Sequence, residues 1–312
     1  MLGAAALTLL AGAGLTHVLA TRREARAAQT HPPTGQLHDI DGIRMHARVM
    51  GDGPDLVMIH GSSGNLRDFT LDLAPALAKR YRVILVDRPG LGWSEAHPDG
   101  DTLSTQARLI QATVARLGAD RPIVLGQSYG GAVGLTWASE RPDTLSALVA
   151  VSAPAMPWNT GLGTYYTVTS SLPGRWIVIP LIAAFVPEAY VAREIAAVFA
   201  PQPAPDGYVE HFGPDLTLRR AALRANAMQR RGLLAQITEM STHYGRITVP
   251  VELLHGDHDT TVPHQIHAAP LAQALDQARL TLLPGVGHMP HHTNIPDVIA
   301  AIDRAALRAG EK

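Results

Sequence analysis

The strongest chemical signal in the sequence is the pentapeptide Gly126-Gln127-Ser128-Tyr129-Gly130. It follows the apolar run at residues 122–125 and precedes a stretch typical of a helix. In a tight turn from a strand to a helix, glycines beside a strained serine are favoured because a Cβ at their positions would clash. The turn leaves the hydroxyl at a helix N-terminus, where free N–H groups favour negative charge. The pattern predicts a nucleophilic serine at position 128.

A serine hydroxyl becomes a good nucleophile when a base accepts its proton and an acid orients that base. Candidates for both follow two later predicted strands. Residues 249–254 lead into His255-Gly256-Asp257-His258-Asp259, and residues 278–283 lead into Pro284-Gly285-Val286-Gly287-His288. The order serine, acid, histidine predicts a Ser-Asp-His triad in which Asp257 and Asp259 compete for the role of the acid.

Composition excludes several other kinds of chemistry. The 312 residues are 46% hydrophobic and 17% charged, which is enough apolar material for a large core. Twenty-six basic and 27 acidic residues give a net charge of −1, so no overall charge favours nucleic acid as a partner. The absence of cysteine excludes a thiol nucleophile, disulfides, iron–sulfur clusters and Cys-ligated zinc.

Short apolar runs alternate with helical stretches through most of the chain, which predicts an α/β fold with a mainly parallel sheet and helices on both faces. The predicted strands are 37–40, 43–49, 56–59, 82–86, 122–125, 145–151, 249–254 and 278–283. The main predicted helices are 103–117, 132–140, 264–275 and 297–307. Residues 157–244 have no clear strand and are expected to form an inserted helical cap over the carboxyl edge of the sheet. The core is then assigned to residues 38–156 and 245–312.

Residues 1–20 carry no charged side chain and are rich in Ala, Leu and Gly, and Arg22, Arg23 and Arg26 follow them. This order favours a retained transmembrane helix in the inner membrane with the catalytic part in the cytoplasm. Two alternatives remain: an exported protein cleaved near residues 25–28, or an extension that packs loosely. Residues 21–37 are predicted to be a linker.

The predicted cap also contains a basic stretch. It is expected either to form a solvated helix face or to contact anionic lipid, and its residues are Arg219, Arg220, Arg224, Arg230 and Arg231.

From residue 38 onward the chain resembles the α/β-hydrolase fold family, in particular its capped, serine-dependent hydrolases. The matching motifs are the pentapeptide around Ser128, His60-Gly61-Ser62-Ser63-Gly64, Asp87-Arg88-Pro89-Gly90-Leu91-Gly92-Trp93-Ser94, Gly256-x-x-Asp259 and Gly287-His288.

The resemblance implies that Ser128 is the nucleophile, His288 the base and Asp259 the orienting acid, since the family places its acid third after the glycine. It also implies that the oxyanion is held by the backbone N–H groups of Ser62 and Tyr129. The turn at residues 87–94 matches a structural element, to which no chemistry is assigned.

The resemblance implies a carboxylic ester hydrolase with an acyl-enzyme intermediate and a small hydrophobic substrate. Haloalkane dehalogenases and epoxide hydrolases are similar to this chain but have aspartate at the position of Ser128, which argues against both reactions. The same triad leaves open a carbon–carbon bond hydrolase, an acyltransferase or a perhydrolase, and a non-catalytic ligand-binding relative is an alternative of another class.

No cofactor or metal is implied. The other histidines of the two clusters are expected at the rim or the surface, namely His255, His258, His291 and His292.

Overall fold

The computed structural model describes residues 2–310, which contain one eight-stranded sheet. Its strands are β1 (Gln36–Ile40), β2 (Ile43–Met50), β3 (Asp55–Ile59), β4 (Arg82–Val86), β5 (Ile123–Gln127), β6 (Ala147–Val151), β7 (Val251–Gly256) and β8 (Ala278–Leu283). Their order is β1-β2-β4-β3-β5-β6-β7-β8. The β1–β2 and β2–β4 pairs are antiparallel and all the others are parallel. The predicted α/β class and mainly parallel sheet are confirmed.

Helices connect and cover these strands. The α-helices are α1 (Leu2–Thr30), α2 (Arg67–Thr70), α3 (Leu73–Leu77), α4 (Leu103–Arg116), α5 (Tyr129–Glu140), α6 (Thr164–Ser170), α7 (Ile179–Phe185), α8 (Glu188–Phe199), α9 (Tyr208–Phe212), α10 (Pro214–Thr217), α11 (Arg220–Ser241), α12 (Ala268–Ala274), α13 (Pro290–Thr293) and α14 (Ile295–Ala309). Two short 3-10 helices occupy Pro142–Thr144 and Tyr244–Arg246, and a π-helix occupies Gly174–Val178.

The two faces of the sheet bury separate apolar clusters. Successive residues of a strand point to opposite faces. In β3, Val57 and Ile59 pack with α4, α5 and α11, whereas Leu56 and Met58 pack with α3 and α14. Burial on both faces explains why the central strands read as continuous apolar runs instead of alternating patterns.

The loops at the carboxyl ends of the parallel strands hold the residues singled out in the sequence. Ser128 follows β5, Asp259 lies beyond β7, and His288 lies beyond β8. Between β6 and β7 the chain forms no strand: it contains helices α6 to α11, the π-helix and the 3-10 helix Tyr244–Arg246. Residues 164–241, from α6 to α11, which we call the cap, lie within the predicted insertion.

The N-terminal segment differs from its prediction. Helix α1 continues without a break to Thr30, so the first ten residues of the predicted linker are helical. Arg, Glu and Ala in residues 21–28 are strong helix formers, and no proline occurs before Pro32. Arg23 and Glu24 also make ion pairs with the cap residues Asp215 and Arg220, which hold this half of α1 in place.

No single helix within residues 2–310 has the length and hydropathy that a membrane span requires. Thr164–Ser170 and Gly174–Phe185 meet those criteria only as a pair, and their axes differ by 91°. The predicted transmembrane helix at residues 1–20 is therefore without support among the described helices. Met1 and the last two residues of the predicted core, 311 and 312, lie outside the described part of the chain.

Candidate active site

Ser128 occupies the sharp turn between β5 and α5. Its backbone has φ 50° and ψ −120°, which is unusual for a residue with a side chain. The turn is so tight that a Cβ on Gly126 would lie 2.2 Å from the carbonyl oxygen of Gly130. The Ser128 N–H donates to Val151 of the neighbouring strand β6 at 2.8 Å, which fixes the turn to the sheet. The close approach explains why a glycine occupies position 126, two residues before this serine.

His288 and Asp259 meet at the same edge of the sheet. The Nδ1 atom of His288 lies 2.7 Å from Oδ2 of Asp259, and both side chains are buried. The other carboxylate oxygen, Oδ1, accepts from the backbone N–H groups of Thr261 and Val262 at 2.9 and 2.8 Å. With Nδ1–H donated to the carboxylate, the unprotonated Nε2 of His288 is free to accept a proton.

A second histidine, His255, also contacts the Asp259 carboxylate. Its Nε2–H lies 3.1 Å from Oδ2 of Asp259 and 2.6 Å from the carbonyl oxygen of Val262. Burial alone would raise the pKa of Asp259, but hydrogen bonds from His255 and His288 hold that pKa well below its usual range. The expectation that His255 lies at the surface is wrong, because its ring is needed to solvate this buried carboxylate.

The alternative acid, Asp257, is directed elsewhere. Its Oδ1 accepts from the backbone N–H of Gly285 at 2.6 Å and lies 2.7 Å from Nδ1 of His258. His258 itself is exposed, with 62% of its side chain accessible, as predicted. Of the two aspartates, the structure brings only Asp259 to His288.

The loop after β3 runs beside the serine. A Cβ on Gly61 would lie 3.2 Å from the Cβ of Ser128. The buried Arg88 guanidinium donates to the carbonyl oxygens of His60 and Gly61 at 3.0 and 2.9 Å. Because the N–H and C=O groups of a trans peptide point in opposite directions, this contact turns the Ser62 N–H away from Arg88. Arg88 thus orients a peptide next to Ser128, a positioning role that the sequence did not reveal.

The hydrogen bonds of His60 in this loop require its imidazole to be neutral. Its Nε2 accepts from the backbone N–H of Arg88 at 3.0 Å, and its Nδ1–H donates to Gly61 at 3.0 Å. Complete burial and the nearby Arg88 charge lower the pKa of His60 to about 4. The imidazole is therefore neutral near pH 7, as its accepting contact requires.

Two backbone N–H groups near Ser128 have no acceptor within residues 2–310. One belongs to Ser62, and the other to Tyr129 at the first position of α5. A helix leaves its first N–H groups without intrahelical partners, so the second donor follows directly from where α5 begins. A pair of free N–H groups beside a serine can stabilise an oxyanion.

The cap contacts the next residue of this loop. Asn226 of α11 accepts the Ser63 N–H with Oδ1 and donates to the Ser63 hydroxyl with Nδ2, both at 2.9 Å. Thr217 donates its hydroxyl to the Ser63 carbonyl at 2.7 Å. Ser63 has a φ of 53°, so these contacts stabilise a strained residue directly after Ser62. Asn226 is 163 residues away in sequence and belongs to no local motif.

His291 and His292 are buried, which corrects the prediction that they lie at the rim or the surface. Each donates Nε2–H to one oxygen of Asp68, at 3.1 and 3.0 Å, and the Tyr208 hydroxyl donates to the same carboxylate at 2.7 Å. The three possible ligand atoms lie within 4.8 Å of one another. A cation there would displace these hydrogen bonds and would require a proton on Nδ1 of His291, which is buried without an acceptor. The cluster fits a hydrogen-bonded junction of α2, α9 and α13 better than a metal site.

Comparison with known proteins identifies the family of this chain. Residues 54–168 match the family described as the alpha/beta hydrolase fold. A protein named "Putative carbamate hydrolase RutD", from Cronobacter turicensis, is 30% identical over 252 residues, which cover 79% of this chain and 88% of that protein. The chain belongs to the α/β-hydrolase fold family.

Two further relatives show the breadth of this family. Haloalkane dehalogenase 2 of Mycobacterium bovis is 27% identical over 281 residues, covering 88% of this chain and 94% of that protein. The crystal structure of the esterase RhEst1 from Rhodococcus has a TM-score of 0.62 and 21% identity, covering 87% of this chain and 98% of that one. The two curated relatives, named as a carbamate hydrolase and a dehalogenase, support hydrolase activity for this chain, whereas RhEst1 at 21% identity shows the fold alone.

Proposed function

We propose that this α/β-hydrolase cleaves a hydrophobic carboxylic ester through an acyl-enzyme, with Ser128 as nucleophile, His288 as base and Asp259 as orienting acid. The observation that carries the proposal is the 2.7 Å contact between His288 Nδ1 and a buried, ionised Asp259 on the loops beside the strained Ser128. Serine at this turn argues against the aspartate-dependent reactions expected of haloalkane dehalogenases and epoxide hydrolases.

In the first half of the reaction, the Ser128 hydroxyl attacks the ester carbonyl while Nε2 of His288 takes its proton. The carbonyl oxygen becomes an oxyanion, held by the N–H groups of Ser62 and Tyr129. The tetrahedral intermediate then expels the alkoxide, which receives the proton from His288 and leaves as the alcohol. Asp259 keeps Nδ1 protonated and stabilises the imidazolium formed in between.

In the second half, water replaces the alcohol. His288 takes a proton from this water, whose oxygen attacks the acyl carbon and forms a second oxyanion in the same place. Collapse of this intermediate breaks the bond to Ser128, returns the proton to its hydroxyl and releases the carboxylic acid. A hydrophobic acyl group is proposed because Phe199 of the cap helix α8 lies in a buried apolar cluster with Met289, the residue next to His288.

A second candidate is hydrolysis of a carbamate, which the similarity to the RutD proteins favours. A carbamate carbonyl passes through the same tetrahedral oxyanion, so the same residues would act on it. A p-nitrophenyl ester and a carbamate of the same alcohol, measured side by side, separate the two by their kcat/KM values.

Turnover of p-nitrophenyl esters of increasing acyl length tests the main proposal. We expect Ser128→Ala to lower kcat by roughly 10⁴- to 10⁶-fold. Ser241→Ala is the matched control, since the Ser241 hydroxyl donates to the Thr238 carbonyl within helix α11. Equal turnover by Ser128→Ala and the wild-type chain would refute the proposal, and the preferred acyl length would define the substrate class.

A further inference from the structure

Exposed large apolar side chains are concentrated in one part of the molecule. Most of those in the described residues lie on α1 or between α6 and α8, namely Leu7, Leu9, Leu10, Leu15, Val18, Tyr165, Val168, Leu172, Trp176, Ile177, Leu181, Phe185 and Tyr190. Single exposed apolar residues are normal on a protein surface, whereas a contiguous group marks a site of interaction.

Helix α1 is fixed at one end and exposed at the other. Its second half buries Ala20 and Ala27, and ion pairs join Arg23 to Asp215 and Glu24 to Arg220. By contrast, every residue from 7 to 15 is exposed. The cap thus holds α1 in a defined direction while the leucine-rich half faces outward.

The cap continues this apolar surface next to α1. Ile177, Leu181 and Phe185 recur every fourth residue along the π-helix and α7, and all three are exposed. Ile179 and Ala183 face the other way and are buried in a cluster that includes Ala20 of α1. Because α1 packs against α7, the exposed leucines and the cap stripe lie on adjacent helices.

Cationic side chains border the same surface. Arg22 and Arg26 are exposed and make no ion pair in the described part of the chain. Together with Arg23 they line an open cavity of about 440 Å³. Two acids, Asp215 and Glu188, also line this cavity, and Asp215 is already paired with Arg23, so the arginines outnumber the acids. Farther along the cap, the Arg224 guanidinium stacks 5.0 Å from the ring of Trp176.

We propose that α1 and the outer face of the cap form one surface that docks onto a bilayer containing anionic lipids. The leucines and the exposed Trp176 would enter the interfacial layer, and Arg22 and Arg26 would contact lipid phosphates. In a symmetric dimer formed through this surface, Arg22 and Arg26 of the two copies would approach one another. The repulsion between these like charges favours a bilayer over a second copy of the chain. The 91° bend between Thr164–Ser170 and Gly174–Phe185 suits helices that lie in an interface.

Flotation of the full chain with vesicles tests this surface without measuring catalysis. The wild-type chain is expected to float with vesicles of phosphatidylcholine and phosphatidylglycerol in equal parts, and more weakly with phosphatidylcholine alone. The double change Trp176→Ser and Ile177→Ser should weaken both interactions by about tenfold, since it removes apolar area from the contact. Changing both Arg22 and Arg26 to Ser should weaken only the interaction with anionic vesicles, by about fivefold for each arginine.

Leu307→Ser is the matched control, because Leu307 is 76% exposed on α14 of the core and should leave flotation unchanged. Ser128→Ala should also float like the wild-type chain, so failure of the catalytic proposal and failure of this one are distinguishable. Flotation of the cap and arginine variants at wild-type levels, or no flotation of the wild-type chain, would overturn the proposal. A lipid-free dimer that Trp176→Ser and Ile177→Ser dissociate would also overturn it and would identify a second copy as the occupant.

Discussion

The loops at the strand ends and the outer face of the cap differ in which side chains they bury and which they expose. At the strand ends, polar side chains such as Asp259, His255 and Arg88 are buried and hydrogen-bonded. On the outer face of the cap, apolar side chains such as Trp176 and Ile177 are exposed, at 70% and 60%. A buried charge is tolerated only with partners, so the first region must be rigid. Exposed apolar residues contribute little to folding, so the second region is free to serve an interaction.

The largest loss of activity relative to a matched control is expected for Asp259→Asn. This change keeps the shape of the side chain but removes the charge that orients His288, so kcat should fall by about 10⁴-fold. Asp257→Asn is the matched control two residues away, because the Asp257 carboxylate is engaged by His258 and Gly285 instead of by His288. Steady-state turnover of a p-nitrophenyl ester measures both. A larger loss in Asp257→Asn would transfer the acid's role to that residue.

Acid should destabilise the strand-end region through its buried histidines. The pKa of His60 is about 4 in the folded chain and near 6.5 when unfolded, so the unfolded chain binds the proton more readily. The stability due to neutral His60 is complete above pH 6.5 and is lost as the pH falls toward 4, by up to about 3 kcal/mol. Urea titrations at several pH values measure this loss, and His60→Gln should reduce it. The same pH dependence in His60→Gln would show that other groups cause it.

Removing the contact between the cap and the loop after β3 should have an intermediate effect on activity. Asn226→Ala removes both hydrogen bonds to Ser63 and loosens the neighbouring Ser62 N–H. We expect kcat to fall by roughly 10- to 100-fold with little change in KM, since the loss falls on the transition state. Asn226→Asp keeps an acceptor for the Ser63 N–H and should recover part of kcat. A rise in KM alone would place Asn226 in substrate binding instead.

The smallest effect is expected on the outer face of the cap. Ile177→Ser should change the free energy of unfolding by less than about 0.5 kcal/mol, because the side chain is already exposed. Ile59→Ala, at a fully buried position of strand β3, is the contrasting variant and should cost about 2–5 kcal/mol. Urea unfolding of both proteins measures the difference. Equal losses would show that the cap stripe is part of the folded core.

Local patterns were enough to predict the fold and the positions in it of several candidate site residues. Strand β8 was predicted with the bounds it has, and the turn at Ser128 followed from its glycines and its place between a strand and a helix. The preference for Asp259 over Asp257 came from the family motif, and of these two aspartates it is Asp259 that contacts His288.

Contacts between distant residues could not be predicted. Arg88 and Asn226 contact a loop that only the fold brings near them. Asp68 likewise accepts from His291, which is 223 residues later in the sequence. Likewise, the helix at residues 21–30 is held by ion pairs to the cap almost two hundred residues later.

The central claim is that Ser128 carries the acyl group, and covalent labelling tests it most directly. A fluorophosphonate should form one phosphorus–oxygen bond with the Ser128 hydroxyl and release fluoride, and peptide mass spectrometry should locate the adduct there. Ser128→Ala should remain unlabelled under the same conditions, whereas Ser241→Ala should be labelled like the wild-type chain. An adduct at another residue, or none on a folded wild-type chain, would contradict the account.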